Sequence, residues 1–531
     1  MKRFYLFWVV PLFLGWAFDF LFWRHFPGIS LLLYLLLLVG GGLLVLLDNG
    51  FRPSWKSLLL LPPILFFAVM TILRREPMTV FLAVALSVML LSLLSVTYQG
   101  GRWLQYGWLD YLVQFFWLVV SLLVRPFLWW IERLKQSPTS TTEETKASVS
   151  SWQPFWAILR GVLITFPILV IFAVLLASAD LVFAERLADF LEIFRLERLP
   201  EYLFRLFYIL LFAHLIAGAL LHAAQKSQEE KLIGFARPSL PSFLGFTEAA
   251  IVLGAVNLLF GFFVLIQFQY FFGGQSNIGL EGYTYAEYAR RGFGELVIVA
   301  FFSLLLFLGL STTTFRATSA QRRLFSALGA LLVALVNVIL VSAFQRLVLY
   351  ETAYGFTRLR MYTHVFMIWL GILLVAVVVL EFLRRERAFA LAMLLAAIGF
   401  AVTLAIVNVD SFIARQNVLR AMQGEELDIN YLALLSTDAV PSLVALLQEE
   451  TLPTDTRDLV GAALLCREYR FGRNQEAVNW RSWTLSAWFA KRALDQVQRI
   501  LDNYTIFDQA WPVLVETPLG KHYECYYGWL E

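Results

Sequence analysis

The sequence predicts an all-α fold: a polytopic transmembrane helix bundle of about 12 spans (about 11 to 13), followed by a small C-terminal α-helical soluble domain. Three observations predict it. Sixty per cent of the 531 residues are apolar. Only 15% are charged, where a soluble domain carries about a quarter. The mean hydropathy of +0.70 comes from apolar runs close to the roughly 20 residues that cross the hydrocarbon as a helix. Together these exclude a soluble enzyme, a disordered chain, a secreted disulfide scaffold and a nucleic-acid binder.

In chain order, the first five runs lie near Tyr5–Trp23, Ser30–Leu47, Leu58–Leu73, Thr79–Val96 and Tyr111–Ile131. The opening run follows Lys2 and Arg3, as a signal peptide would. No small-residue cleavage site follows, so it reads as a retained helix. These runs make an N-terminal membrane part, residues 1–134. A Ser/Thr-rich stretch without apolar period, 135–154, reads as a flexible linker. The core membrane part, 155–408, holds seven more runs near Trp156–Ala177, Leu203–Leu221, Ala249–Phe271, Phe293–Ser311, Leu324–Ala343, Thr363–Phe382 and Ala388–Val407. Within it, residues 180–199 alternate apolar and charged positions at helical spacing, the pattern of an interfacial amphipathic helix.

The tail, 409–531, is acidic, with 11 Lys and Arg against 17 Asp and Glu; the rest is basic, 31 against 22. Its pattern gives short helices at Asp428–Leu435, Ala439–Leu447, Asp458–Glu468 and Trp483–Leu501. Trp480, Trp483, Trp488 and Trp511 are aromatic enough for a partner surface, and core packing explains them equally well. Cys466 and Cys525 are too few for a disulfide framework or a zinc site. They read as two free thiols, with one bond open to them only in an oxidising compartment.

Lys and Arg in short loops set orientation. In the second half, Lys226, Lys231, Arg237, Arg316, Arg322, Arg323, Arg384, Arg385 and Arg387 fall in alternate loops. They put the linker inside and the tail outside. In the first half, Lys2, Arg3, Arg52, Lys56 and Arg102 put the N-terminus inside as well. Five spans cannot join two segments on one side. Either one of the first five runs does not cross, or the N-terminal charge bias misleads. The suspects are Leu58–Leu73, which carries Pro62 and Pro63, and Tyr111–Ile131, broken by Arg125 and Pro126.

Ionisable groups in spans are costly and so are candidate sites. For Arg160 and Glu381, snorkelling to the interface suffices. His214 reads as a helix–helix hydrogen bond, and Asn257 and Asn337 as interhelical contacts. The densest polar run is Tyr283–Glu295. Thr284 and Glu287 have the spacing of a capping box, and Glu287, Arg290, Arg291 and Glu295 form a ladder at i+3 and i+4. A second cluster, Tyr350, Glu351, Tyr354, Thr357, Arg358, Arg360, Tyr362 and His364, lies at the start of a later span on the same predicted side. The two clusters fit a basic polar vestibule for a phosphate, a carboxylate or a lipid headgroup. They fit a structural ion-pair network with an aromatic belt as well. No catalytic, cofactor or metal signature is present: there is no GxxxxGK[ST], HExxH, GxSxG or CxxC.

The stretches Glu287–Phe293 and Tyr354–Arg360, with NVDSFIARQNVLRA and LDINYLALLSTDAVPSL after the last span, resemble an uncharacterised bacterial multi-pass membrane family, domain of unknown function 4173, related to domain of unknown function 4153. The resemblance covers about Thr247 to Leu447. It implies a bacterial inner-membrane helix bundle and no activity. It marks Glu287, Arg290, Arg291, Thr357, Arg360, Asn417, Tyr431, Asp438 and Pro441 for testing. Three functions stay open: a non-enzymatic scaffold or envelope sensor whose tail docks a protein partner, a transporter or lipid-handling protein that engages an anionic lipid or small anion, and a membrane-embedded transferase on lipid-linked substrates.

Overall fold

The computed structural model describes residues 5–135, 199–228, 243–272, 293–473, 479–508 and 512–525, with isolated positions besides. The linker, the expected span at Trp156–Ala177 and the amphipathic segment at 180–199 lie wholly or largely outside the described residues, as does Trp511. The membrane helices are α1 (Leu6–Phe22), α2 (Ile29–Asp48), α3 (Leu61–Leu73), α4 (Pro77–Thr97), α5 (Trp108–Lys135), α6 (Leu199–Gln225), α7 (Phe246–Phe272), α8 (Phe293–Thr313), α9 (Ser319–Tyr354), α10 (Arg358–Phe382) and α11 (Phe389–Val407). Among the described residues ten helices are long and apolar enough to cross a membrane, α3 counting with the turn before it; α1 is a shorter apolar helix. The chain is a polytopic helix bundle.

Small residues decide how closely the helices approach. A β-carbon at Gly15 of α1 would fall 2.5 Å from the Ile209 carbonyl oxygen of α6, so this crossing requires glycine. Caps set the ends. Glu76 caps α4 by accepting from the main-chain N–H of Met78 and Thr79, with Pro77 at the first helical position. Thr318 and Gln321 form a reciprocal capping box on α9.

The spans alternate in direction, and all the elements after α11 gather at one end, here the tail end. At the opposite, basic end lie the loops carrying Arg316, Arg322, Arg384, Arg385 and Arg387. Both ends of α5 sit there. Asp110, near its start, pairs with Arg387 at 3.2 Å, beside the first residues of α11. Trp129, near its finish, packs on Phe7 and Trp8 at the start of α1. Asp110 and Trp129 of α5 thus both make contacts towards the basic end. Pro126 and the tryptophans at 108, 117, 129 and 130 suit that position.

At the tail end, Asn408 adopts the left-handed conformation (φ +56°) and turns the chain from α11 into α12 (Val409–Met422) without a loop. Helices α13 (Ile429–Leu434), α14 (Val440–Leu447), α15 (Thr454–Arg473) and α16 (Leu485–Leu501) follow. The tail is not all-α. Strands β1 (Thr505–Phe507), β2 (Val513–Glu516) and β3 (His522–Cys525) form an antiparallel sheet in the order 1-2-3. The β2–β3 turn places Gly520 at φ +73°, where a side chain would be strained. Cys466 and Cys525 are joined as a disulfide that ties α15 to β3, so the reading as free thiols is corrected. Burial brings together two residues that lie 59 apart in sequence.

One apolar cluster joins the tail to the bundle. It runs from Val365 and Leu404 in the spans through Val409, Ile413, Val440 and Leu443 to Val497 and Val515, with Met78, Leu82 and Trp369 packed against it.

Candidate functional site

The densest polar constellation among the described residues is buried where this cluster meets the ends of α4 and α10. Arg358 opens α10 and forks onto Asp410 of α12, Nε to Oδ1 at 2.8 Å and Nη2 to Oδ2 at 2.7 Å. The main-chain N–H of Ser436 donates to the same carboxylate at 2.6 Å. The main-chain N–H of Arg358 donates to the Tyr431 hydroxyl at 2.8 Å. Beside it, the Tyr362 hydroxyl donates to Glu76, which also accepts from the Thr79 hydroxyl at 2.6 Å. Asp438 closes the arrangement. Its Oδ2 accepts from the main-chain N–H of Arg75 at 2.7 Å and of Glu76 at 3.0 Å, and from the Ser436 hydroxyl at 3.1 Å. Asn417 makes two bonds to the main chain of Phe356.

Three carboxylates are thus almost wholly removed from water: Asp410 is 0% exposed, Glu76 1% and Asp438 5%. Buried charge is tolerated only where hydrogen bonds and counter-charge replace the water, and each of these acids has several donors. Burial raises the Asp438 carboxyl above the ordinary carboxylate range, against the pull of its donors. Burial raises the Tyr431 hydroxyl too. As chemistry, the arrangement is a clamp. It joins the α3–α4 turn, the start of α10 and the tail by groups that satisfy one another.

The residues singled out by sequence divide. Glu287, Arg290, Arg291 and the Thr284 capping box lie outside the described residues. Glu295 stands exposed in the first turn of α8. Tyr354 ends α9 and is half-exposed, its ring 4.9 Å from Tyr350. Thr357 occupies the cap position of α10 without a side-chain cap bond. Arg360 donates to the Gly355 carbonyl and lies over the Tyr350 ring at 4.1 Å. His364 meets Glu351 at 2.8 Å, both buried. Tyr354, Thr357, Arg358, Arg360 and His364 therefore share the tail end, and of the whole cluster Arg358 and Tyr362 enter the clamp. Glu351 and Tyr362 belong to the second cluster read from the sequence; Asp410 and Glu76 were missed by sequence reasoning. Glu76 before Pro77 carried a legible cap signal; Asp410 stands in a run with no local signal. Tyr431, Asp438 and Asn417, marked through the family resemblance, do lie in or beside the clamp.

Arg160 lies outside the described residues; the other polar groups of the spans singled out by sequence and described have neighbours. Glu381 does not snorkel: it is 4% exposed, paired with Arg316 and bonded to the Ser311 hydroxyl at 2.5 Å. His214 bonds the Leu123 carbonyl at 3.0 Å, Asn257 the Leu328 carbonyl at 3.0 Å, and Asn337 its own helix. Asp19 is forked by Arg205. Among the described residues no three His, Cys, Asp or Glu side chains come together as a metal site.

An apolar cavity of about 520 Å³ opens between α1, α2, α4, α5 and α6. Its wall includes Phe22, Leu35, Val88, Leu118, Phe212 and Ile216, with Tyr34 and Ser95 among its few polar groups.

A family model described as "Domain of unknown function (DUF4153)" matches residues 61–446. No curated protein and no solved structure matches the chain. The matched span runs from the start of α3 to α14, so it takes in the clamp from Glu76 to Asp438.

Proposed function

Since this chain belongs to the DUF4153 family, we propose that it is a non-enzymatic scaffold of the bacterial inner membrane, whose outward-facing tail is held as a fixed platform for an envelope protein. The narrower likeness to domain of unknown function 4173 is part of the same reading. It rests on the stretches Glu287–Phe293 and Tyr354–Arg360. The observation that carries the proposal is the clamp. A tail tethered by a flexible joint would not bury Asp410, Glu76 and Asp438 against the bundle, because burial of unpaired charge is costly.

The placement of α5 supports this orientation. With α5 lying along the basic end, the first part of the chain crosses four times before the linker. Arg3, Arg52, Lys56 and Arg102 then share an end with Arg316, Arg322, Arg384, Arg385 and Arg387. Positive loops mark the cytoplasmic side, which puts the tail outside. The Cys466–Cys525 bond supports the same side, since disulfides persist in oxidising compartments.

Photo-crosslinking amino acids at Glu449 and Asp502, both exposed on the tail, test the reading in intact cells. Discrete protein adducts at one or both are expected, and they should fade in the Asp410→Ala variant. Absence of adducts at both positions, in protein that is folded and inserted, would overturn the platform.

One observation favours a second reading, lipid handling: the apolar cavity between α1, α2, α4, α5 and α6. Its volume suits part of an acyl chain, and the bilayer is the nearest source. Retention of one lipid class through purification, lost when Val88→Trp fills the cavity, would support it. Unchanged lipid content would remove it.

A further inference from the structure

We propose that the face of the tail built from Trp480, Trp483, Trp488 and Phe489 is a membrane-surface anchor, seated in the phospholipid headgroup region of the leaflet beside the bundle. Trp483 accepts at its carbonyl from the main-chain N–H of Ile29, the first residue of α2, at 3.0 Å. The Trp480 ring lies 6.3 Å from Phe20, two residues before α1 ends. Arg481 lies over that same Phe20 ring at 4.0 Å. The segment is therefore fixed at the level where α1 leaves the hydrocarbon and α2 enters it.

Trp480 is 51% exposed, Trp483 41%, Trp488 42% and Phe489 49%. Four large aromatics fall within ten residues, each near half-exposed, with the Trp488 and Phe489 rings 5.0 Å apart, and exposed apolar surface of this kind marks an interaction site. Tryptophan at the end of a span is the side chain of the bilayer interface, where its ring is apolar and its N–H stays wet.

Helix α16 carries two unlike faces. Its inner face, Ala490, Leu494 and Val497, is buried in the tail core. Its outer face begins with Trp488 and Phe489 and continues as Lys491, Arg492, Asp495, Gln496, Gln498 and Arg499, all exposed. The exposed side changes from aromatic to charged along the helix, as expected of a helix that rises out of an interface. Arg492, 5.4 Å from the Trp488 ring centroid, supplies a cation at the depth of lipid phosphates.

A protein partner or a second copy would also bury aromatics, and the test separates them. The two native cysteines are bonded to each other, so one added cysteine carries a nitroxide label selectively. Phe489→Cys is labelled in the full chain, reconstituted into phosphatidylethanolamine–phosphatidylglycerol vesicles, with Asp502→Cys as the exposed reference and Trp483→Cys as a second reporter. At 489 and 483, collisions with oxygen are expected to exceed those with a nickel chelate several-fold, and the ratio should invert at 502. A ratio at 489 and 483 equal to that at 502 would overturn the anchor. So would protection from both reagents, or spin–spin broadening that disappears on dilution with unlabelled protein, since these indicate a protein partner or a second copy.

Discussion

Arg358 and Asp410 form a two-armed ion pair, at 2.8 and 2.7 Å, between the first turn of α10 and the first turn of α12. The carboxylate is fully buried, while the guanidinium side chain keeps 25% exposure. The pair is thus asymmetric: loss of Asp410 leaves a cation with some access to water and also orphans the Ser436 N–H.

Asp410→Ala is expected to destabilise the protein by about 3 kcal/mol, the lower end of the range for breaking a buried pair. Arg358→Lys should cost less than Asp410→Ala but remain measurable, because an ammonium keeps the charge and loses the fork. Arg358→Met with Asp410→Leu should cost less than Asp410→Ala alone, since no buried charge is stranded. Thermal unfolding in detergent measures all three. A double variant less stable than Asp410→Ala would refute the clamp energetics.

The disulfide closes a loop between residues 59 apart. In the chain-entropy model a loop of that length is worth about 4 kcal/mol. Denatured, unreduced protein should take up no maleimide, and reduced protein should take up two. Reduction should lower the tail's melting point more than the bundle's. Two maleimides on unreduced protein from cells would place Cys466 and Cys525 in a reducing compartment and invert the proposed orientation.

Much of the bundle was legible because its signal is local. A run near 20 apolar residues needs no partner to be recognised, and eleven of the expected twelve runs correspond to described helices. The small sheet was not legible, because β1 to β3 are three or four residues long, below the length at which alternation can be counted. The Thr517–Gly520 turn between β2 and β3 was its readable trace. The clamp hid for another reason: Glu76 and Tyr362 are 286 positions apart, and Arg75 and Asp438 are 363 apart. Such pairings follow from how the spans pack, which periodicity does not encode. The charge conflict in the first half was itself a signal of α5. It named Leu58–Leu73 and Tyr111–Ile131 as suspects, and Asp110 and Trp129 of α5 both make contacts towards the basic end.

That placement of α5 predicts sidedness directly. Single cysteines at Gln105, before α5, and at Ile131, in its last turns, should react with an impermeant thiol reagent from the same side. In intact cells both should be protected, while a cysteine at Gly424, in the exposed turn after α12, should react. Labelling of 105 and 131 from opposite sides would make α5 a span and restore the conflict between the two halves.

Asp438 predicts a pH dependence with a definite sign. Burial holds its folded-state pKa above the ordinary value of 3.8. The folded protein therefore keeps a proton over a window in which the unfolded chain has released it. Within that window stability falls as pH rises from 3.8 towards the folded value. Asp438→Asn removes the ionisation and keeps an oxygen that can accept from the N–H groups of Arg75 and Glu76. Its stability relative to the native protein should thus improve between pH 4 and pH 7. Asp438→Ala removes the acceptor as well. It should be less stable at every pH, by about 1 to 3 kcal/mol, because buried main-chain donors go unpaired. Unfolding midpoints of the three proteins at one-unit steps across this range decide the matter. Parallel curves for the native and Asn proteins would show that the Asp438 carboxylate is stabilised rather than strained by its site. The clamp would then be held by that charge rather than in spite of it.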